Sequence, residues 1–283
     1  MAEDIRDVPA EEYWDRLKAM MGADGLMTYW YLGRTVNTLD APGHDTMRIR
    51  RDMRNPAGGL MAAPLAIAAP ETGGFTDMAT VPAPVVYGLH VLDDGRDVQE
   101  IRMRHTTVRA GRKMGFGRTE IVDASDPGRV IAVATGMGIK LADAPPGFRP
   151  IDLPPDIEDS PSLPPLAEVF GARRRADGIW ELPELNPRTA STSASLHLGP
   201  VHIVLEAAAV ELAAEQAGTD DVQVEDWDVQ FVAPGTVGPF SVRGDAVRGN
   251  LGRIACRLAL HDEGNGDRVV SSALAVFRPA QLG

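Results

Sequence analysis

An internal duplication constrains the fold of this 283-residue chain more than any other feature. A small-residue apolar segment followed by four alternating apolar and polar stretches occurs twice, in the same order and with the same spacing. Gly58 aligns with Gly199 and Arg112 with Arg253, an offset of 141 residues with no gap between them. Repetition of a whole unit at fixed spacing indicates a diverged tandem repeat, so we expect two domains.

The repeated pattern predicts one helix and then four antiparallel strands in each half. In the first half the helix is expected within Gly58–Ala69, kinked or shortened by Pro64. In the second half a helix over Val201–Ala217 ends at Gly218. Strand-like runs precede both helices, at 27–38, 46–53 and 193–198. The strands predicted after the helices are Val85–Leu92, Val98–Val108, Met114–Val122, Val130–Leu141, Val222–Val232, Phe240–Arg248, Arg253–His261 and Arg268–Phe277.

This order of elements is the hot-dog layout, an α+β fold in which an antiparallel sheet wraps round a helix. One unit leaves a sheet edge uncovered, so we expect the two tandem hot-dog domains to pair as a pseudo-dimer. The predicted organisation is an N-terminal helical extension at 1–25, hot-dog domains at 26–142 and 191–283, and a proline-rich linker at 143–190. Within the linker, Asp156–Asp159 is acidic, and Leu166–Phe170 and Trp180 are candidates for docking on a domain.

Composition narrows the classes of partner. The net charge is -12 and the pI is near 4.9, which argues against a nucleic-acid or anionic-membrane surface. No stretch approaches the roughly 20 apolar residues of a membrane helix, and the acidic segment Met1–Ala10 lacks the pattern of a signal peptide. The single cysteine, Cys256, forms no internal disulfide and is expected in the core. We therefore expect a cytoplasmic protein without a membrane or nucleic-acid partner.

Short motifs around each predicted helix carry a family resemblance. Asn55 opens an Asn-x-x-Gly motif, His202 and Glu211 are nine residues apart on the second helix, and each half has a later Gly-Arg pair. In these features the halves resemble the phenylacetate-pathway type of hot-dog acyl-CoA thioesterases. That pattern is Asn-x-x-Gly, His-Gly-Gly at the helix start, a carboxylate nine residues after the His, and a Gly-Arg pair. The departures from it are complementary: Met61, Ala62, Ala63 and Pro70 in the first half, and Leu196, Ile203 and Val204 in the second.

The resemblance implies hydrolysis of acyl thioesters at a site built from both members of a pair. A carboxylate activates water or attacks directly, N–H groups at a helix start hold the carbonyl oxygen, and a polar side chain orients the reacting groups. One combination keeps all three parts: Asn55 and the N–H groups of Met61 and Ala62 from the first half, with Glu211 from the second. The mirror combination lacks both side chains, so we expect one composite active site per chain.

Two further residues are candidates for a catalytic role. Glu206 lies four residues after His202, so their side chains share a helix face. Glu211 is about 140° round the helix from Glu206, so both carboxylates cannot point into one site. Each glutamate also fits a surface salt bridge, and His202 also fits a packing or hydrogen-bonding role.

The expected substrate is an acyl-CoA or a related acyl thioester. Arg112 and Arg253, from the Gly-Arg pairs, are candidates for binding its phosphates, or they pair with surface carboxylates. Coenzyme A enters only as part of the substrate. No other cofactor and no metal is predicted, because the sequence lacks G-x-S-x-G, H-E-x-x-H, paired C-x-x-C and P-loop patterns.

Two other functions stay open, and an assembly is expected. The first alternative is an enoyl-thioester hydratase or dehydratase that uses His202 with Glu206. The second is a non-catalytic acyl-ligand-binding or interaction protein, which the loss of the motif glycines favours. In the resembling family the fold commonly oligomerises, so we expect a homo-oligomer, a dimer of double hot-dog chains.

Overall fold

One antiparallel sheet of eleven strands dominates the part of the chain that the structure describes. The structure is a computed structural model, and it describes residues 4–21, 27–34, 45–70, 80–147 and 155–279. Two helices come first in the chain, α1 (Ala10–Met21) and α2 (Met27–Leu32). Within the described ranges, no helix has the length and apolar character that crossing a lipid bilayer requires.

The first half of the sheet accompanies a short helix, α3 (Ala62–Ala68). All seven residues of α3 are buried, and they share one core with inward-facing strand residues such as Leu89 and Ile121. The strands lie in the order β1-β3-β4-β5-β2. They are β1 (Thr46–Arg48), β2 (Thr80–Val91), β3 (Glu100–Ala110), β4 (Met114–Asp123) and β5 (Val130–Asp143).

The second half repeats this arrangement around a longer helix, α5 (Leu198–Ala217). The chain reaches it through α4 (Leu166–Val169), and α5 ends at Gly218, whose φ of 73° is a left-handed conformation that glycine adopts without steric cost. The strand order is β8-β11-β10-β9-β7-β6. The strands are β6 (Arg173–Arg174), β7 (Trp180–Leu182), β8 (Val222–Phe231), β9 (Phe240–Arg248), β10 (Ile254–Asp262) and β11 (Arg268–Pro279).

The two halves meet at the strand pair β2–β8 in the middle of the sheet. The register of this pair runs from Val86 opposite Gln230 to His90 opposite Asp226. Apart from β6, which has no counterpart in the first half, the strand order reads the same from either end toward this pair, so the halves are related by a pseudo-twofold axis. The larger of two hydrophobic clusters among the described residues contains side chains of both halves, including Trp227, which is fully buried at the junction.

The structure confirms the two central helices and the four strands that follow each of them. α3 is shorter than the predicted segment Gly58–Ala69: it begins at Ala62, so Pro64 lies in its first turn, where no intrahelical N–H bond is lost. Cys256 is buried in the core, as its apolar surroundings predict.

The strands predicted before the two central helices are wrong in part. Met27–Leu32 is the helix α2, whose aromatic side chains pack on the core, so tertiary packing overrides their strand propensity; residues 35–38 lie outside the described residues. Only 46–48 of the next run is a strand, because a 3-10 turn follows at Arg51–Met53. The run 193–198 forms isolated bridges and then enters α5. The 143–190 segment supplies β7, which pairs with β9 as β1 pairs with β3.

Trp227→Ala is expected to lower the free energy of unfolding of the whole chain by about 3–5 kcal/mol, because it empties a fully buried site at the junction of the halves. Since the core is shared, β5 and β10 should lose protection from hydrogen exchange together. Guanidinium unfolding followed by circular dichroism, with hydrogen exchange on both halves, measures this. Leu251→Ala, at a turn residue that is 86% exposed, is the control and should leave stability unchanged. Two separate unfolding transitions in the wild type would contradict a shared core.

Candidate active site

A buried carboxylate connects the two halves where α5 meets the start of α3. The Glu206 carboxylate accepts one hydrogen bond from the backbone N–H of Ala62 at 2.6 Å and one from that of Ala63 at 2.7 Å. The Glu206 residue is only 1% exposed. Each carboxylate oxygen is therefore held by one N–H group of the other copy.

The start of α3 explains why these N–H groups are available. The first N–H groups of a helix have no partner within the helix, and Pro64, at the third position, has no N–H to satisfy. The Met61 N–H is not part of this pair, because it donates to the Met53 carbonyl at 3.1 Å. The donors that the structure presents are therefore those of Ala62 and Ala63, one residue further along than predicted.

The mirror position in the second half lacks this arrangement. At the offset of 141 residues, Glu206 corresponds to Leu65, and the two N–H donors correspond to Ile203 and Val204. Because α5 already starts at Leu198, Ile203 and Val204 lie beyond its first turn, and the helix itself uses their N–H groups. The described residues therefore contain this carboxylate–amide pairing on one side of the pseudo-twofold axis only.

Burial controls the protonation of Glu206. Loss of hydration raises the pKa of its carboxyl from 4.5 to about 7, while the N–H groups of Ala63 and Ala62 act in the opposite direction by stabilising the anion. A carboxylate that changes protonation near neutral pH can accept a proton and return it within one catalytic cycle.

Two side-chain amides hold the segment that leads into α3. Asn55 Oδ1 accepts the Gly59 N–H at 2.9 Å, and Asn55 Nδ2 donates to the Val222 carbonyl at 3.0 Å and to Gln223 Oε1 at 2.7 Å. Gln223 Nε2 donates in turn to the Leu60 carbonyl at 3.1 Å. A Cβ at Gly59 would lie 1.9 Å from Gln223 Oε1, so a side chain at this position would displace the Gln223 amide. The amides therefore tie β8 of one half to the loop before α3 of the other.

A cavity of about 320 Å³ lies against the start of α3 and against the stretch of α5 that includes Glu206, which is not itself one of the lining residues. Ala63 lines it from α3, and Ile203 and Ala207 line it from α5, on either side of Glu206 in sequence. The volume is in the range of small-molecule sites, at about 300–1,000 Å³. The other lining residues come from the segment before α3 and from the 155–167 region, and they include Arg51, Asp52, Arg54, Met61, Leu163, Pro165 and Leu166.

Glu211 lies on another side of α5. Its carboxylate forms an ion pair with Arg174 at 2.6 Å and accepts the Trp180 Nε1–H at 2.8 Å. The structure therefore brings Glu211 to the segment around β6 and β7 and not to Asn55. The carboxylate of α5 that reaches the start of α3 is that of Glu206.

His202 belongs to an aromatic cluster near the junction of β2 and β8. Its Nδ1 accepts the Trp227 Nε1–H at 3.0 Å, and its ring centroid lies 5.2 Å from that of Tyr87 and 5.8 Å from that of Phe231. Burial lowers the pKa of His202 to about 3, so the ring is neutral at physiological pH. Among the described residues, no hydrogen bond joins His202 to Glu206.

The arginines of the two Gly-Arg pairs lie away from the cavity lining. Arg112 is exposed in the turn between β3 and β4, and Arg253 pairs with Glu225 of β8 at 2.6 Å. The arginines that line the cavity are Arg51 and Arg54. In the described part of the chain, no three His, Cys, Asp or Glu side chains are grouped as a metal ion requires.

Solved structures share this arrangement of helices and strands at low sequence identity. A tesB protein from Mycobacterium avium subs paratuberculosis is similar at a TM-score of 0.59 and 11% identity, over 89% of this chain and 97% of that one. A hot-dog-fold protein from Alicyclobacillus acidocaldarius is similar at a TM-score of 0.56 and 10% identity, over 90% and 98%. The chain has a tandem hot-dog fold. An acyl-CoA thioesterase II from Mycobacterium marinum is similar at a TM-score of 0.53 and 13% identity, over 77% and 87%. No protein-family model and no curated protein matches the sequence.

In this double hot-dog, sequence reasoning misses two members of the site, Gln223 and Ala63. Gln223 interrupts a run of valines at the start of β8, which is its only local signal. Alternation places it on the opposite face from its valine neighbours, yet it is 1% exposed, because the loop before α3 covers it. Ala63 contributes only a backbone N–H, which no side-chain pattern can reveal.

Glu206 is expected to make folding stability fall as the pH rises from about 4.5 to about 7. The folded carboxyl has the higher pKa, so its contribution is fully present below about 4.5, the unfolded value, and is lost as the pH rises through about 7. At about 1.4 kcal/mol per pH unit, the effect is on the order of 3 kcal/mol. Urea unfolding of the wild type and Glu206→Gln between these pH values measures it, since the contributions of buried histidines are common to both. A stability difference that does not change with pH would contradict a titrating buried carboxyl.

Proposed function

We propose that this protein hydrolyses acyl thioesters and that Glu206 is its catalytic carboxylate. The observation that supports this is the contact of buried Glu206 with the N–H groups of Ala62 and Ala63, the second of which lines a cavity. One place thus holds a proton acceptor with a pKa of about 7 and two amide donors. The structural relatives include a protein named as an acyl-CoA thioesterase, which agrees with this chemistry.

In the proposed reaction Glu206 acts as a general base. The ionised carboxylate takes a proton from a water molecule, and the water oxygen adds to the thioester carbonyl carbon. The tetrahedral intermediate then loses its C–S bond, and the proton passes from Glu206 to the leaving thiolate. The products are a carboxylic acid and a free thiol, and Glu206 returns to its ionised form.

One of the same two N–H groups serves the carbonyl oxygen in this proposal. In the free protein both donors bind Glu206, so a thioester carbonyl must replace one carboxylate oxygen before it is polarised. The displaced oxygen then faces the reacting water. Glu206 keeps one N–H partner throughout, so no buried charge is left without a hydrogen bond.

The structural observations support the two alternative functions, hydration of an enoyl thioester and non-catalytic acyl binding, to different degrees. Hydration of an enoyl thioester would use His202 with Glu206, but His202 Nδ1 already accepts the Trp227 N–H and the ring is buried. Non-catalytic acyl binding is favoured by one observation. Both oxygens of Glu206 are hydrogen-bonded and the residue is 1% exposed, as in a purely structural cap. In that case the cavity would hold an acyl ligand without cleaving it.

Glu206→Gln is expected to lower kcat/KM for thiol release from acyl-CoA by about 100- to 10,000-fold, because it removes the proton acceptor. Glu211→Gln is the matched control on the same helix: it breaks an exposed ion pair with Arg174 and should change the rate little. The wild-type kcat/KM should rise with pH and level off above about 7, as Glu206 ionises. A panel of short, long, aryl and hydroxylated acyl-CoAs supplies the substrates.

If the protein binds acyl ligands without cleaving them, Glu206→Gln does not change thiol release. Equal turnover in the wild type and Glu206→Gln would exclude the proposed role of Glu206. Absence of thiol release across the panel, with retained binding of an acyl-CoA, would favour the non-catalytic protein.

Asn55→Ala and Gln223→Ala are each expected to lower kcat by about tenfold or more, since small displacements of reacting groups are costly and these amides position the segment before Ala62. The two residues act through one hydrogen-bond network, so the double variant should be scarcely worse than the poorer single variant. Steady-state kinetics on all four proteins, at a temperature where each is folded, measures this coupling. Independent, multiplicative losses would contradict a shared positioning role.

A further inference from the structure

An arginine-rich segment runs along one side of the cavity. Residues 48–54 read RIRRDMR, four arginines within a chain whose net charge is -12. Two of the four arginines stabilise the folded structure through buried or backbone contacts. Arg50 is buried in an ion pair, and Arg54 donates to three backbone carbonyl groups. Arg48 and Arg51 have no comparable structural role, and their side chains are 62% and 50% exposed.

The acidic part of the linker covers these two arginines. Arg48 pairs with Asp156 at 3.2 Å, and Arg51 pairs with Asp159 at 3.1 Å. Asp159 also accepts the backbone N–H of Arg51 at 3.0 Å. Ion pairs this exposed contribute little to stability and weaken with salt, so a stronger anion can replace the carboxylates. We name residues 155–165, which carry both aspartates, the acidic strap.

The acidic strap also forms part of the cavity wall. Leu163 and Pro165 line the cavity from the strap, Arg51 lines it from the arginine segment, and Ala63 lines it from α3. A molecule that fills the cavity therefore contacts Arg51 and also reaches the helix start where Glu206 is bound. The cavity thus extends from Arg51 to Ala63, whose N–H group is bound to Glu206.

We propose that Arg48 and Arg51 form the binding site for the phosphate of the thioester's carrier, and that Asp156 and Asp159 occupy this site in the free protein. The ligand class is a phosphorylated pantetheine thiol, because guanidinium groups bind phosphate oxygens in the paired geometry in which they bind carboxylates. The inference rests on the proposed function for its choice of ligand. It assigns phosphate binding to Arg51, which lines the cavity, and to Arg48 of the same segment, rather than to Arg112 and Arg253.

Calorimetric titration with coenzyme A, 4′-phosphopantetheine and pantetheine at low ionic strength tests the site without turnover. The double variant Arg48→Ala/Arg51→Ala is expected to bind coenzyme A at least tenfold more weakly and pantetheine as the wild type does. Asp156→Asn/Asp159→Asn should bind coenzyme A several-fold more tightly, because the competing carboxylates are neutralised. Arg257→Ala and Asp245→Asn, which break an exposed Arg–Asp pair on β10 and β9, are the matched controls and should change nothing.

The outcomes separate this site from the catalytic proposal. If wild-type protein binds coenzyme A no more tightly than pantetheine, or if the arginine variant binds coenzyme A normally, the phosphate site is wrong. Thiol release from an acyl-pantetheine, which carries no phosphate, tests hydrolysis independently. If coenzyme A binds in an arginine-dependent way but no thiol is released from any substrate, the proposed phosphate site stands and the proposed hydrolase activity is wrong. Equal binding of coenzyme A and 4′-phosphopantetheine would show that the arginines bind the phosphate that both molecules carry. Tighter binding of coenzyme A would show that they bind the phosphates of its nucleotide.

Discussion

The hydrogen bonds between Glu206 and the N–H groups of Ala62 and Ala63 are the interaction on which the site depends. A buried carboxylate is costly unless it is hydrogen-bonded, and the first N–H groups of a helix need partners outside the helix. Each copy of the repeat therefore satisfies a requirement of the other. The same contact leaves Glu206 buried enough for its pKa to lie at about 7, so a structural necessity also creates a proton acceptor.

Divergence between the two copies makes this arrangement one-sided. α3 starts late and exposes its first amides, whereas α5 has an additional first turn that uses the equivalent N–H groups internally. In the first half, Leu65 occupies the position equivalent to Glu206. In the second half, Leu196 occupies the position equivalent to Asn55. A tandem repeat allows this specialisation because each copy mutates separately, which two identical subunits cannot do.

The arginine-rich segment, residues 48–54, also belongs to the first copy of the repeat. The chain is acidic overall, yet four arginines lie within residues 48–54, directly before α3. Two of them, Arg50 and Arg54, organise the approach to the helix, and two face the acidic strap. The segment predicted as a proline-rich linker thus lines one side of the cavity, and its aspartates pair with Arg48 and Arg51.

The sequence by itself determined the architecture. The repeat at a constant offset, the helical pattern and the strand alternation predicted both central helices and the strands after them. A site shared between the halves was implied by the family resemblance and not by these patterns. Tertiary structure decided which side chains and backbone groups meet within that architecture. Glu206 and Glu211 look alike along α5, and only the packing of α3 against one side of the helix distinguishes them. The donors of Ala62 and Ala63, the burial of Gln223 and the pairing of Asp159 with Arg51 depend on segments far apart in the chain, and side-chain patterns carry no record of which backbone groups those segments cover.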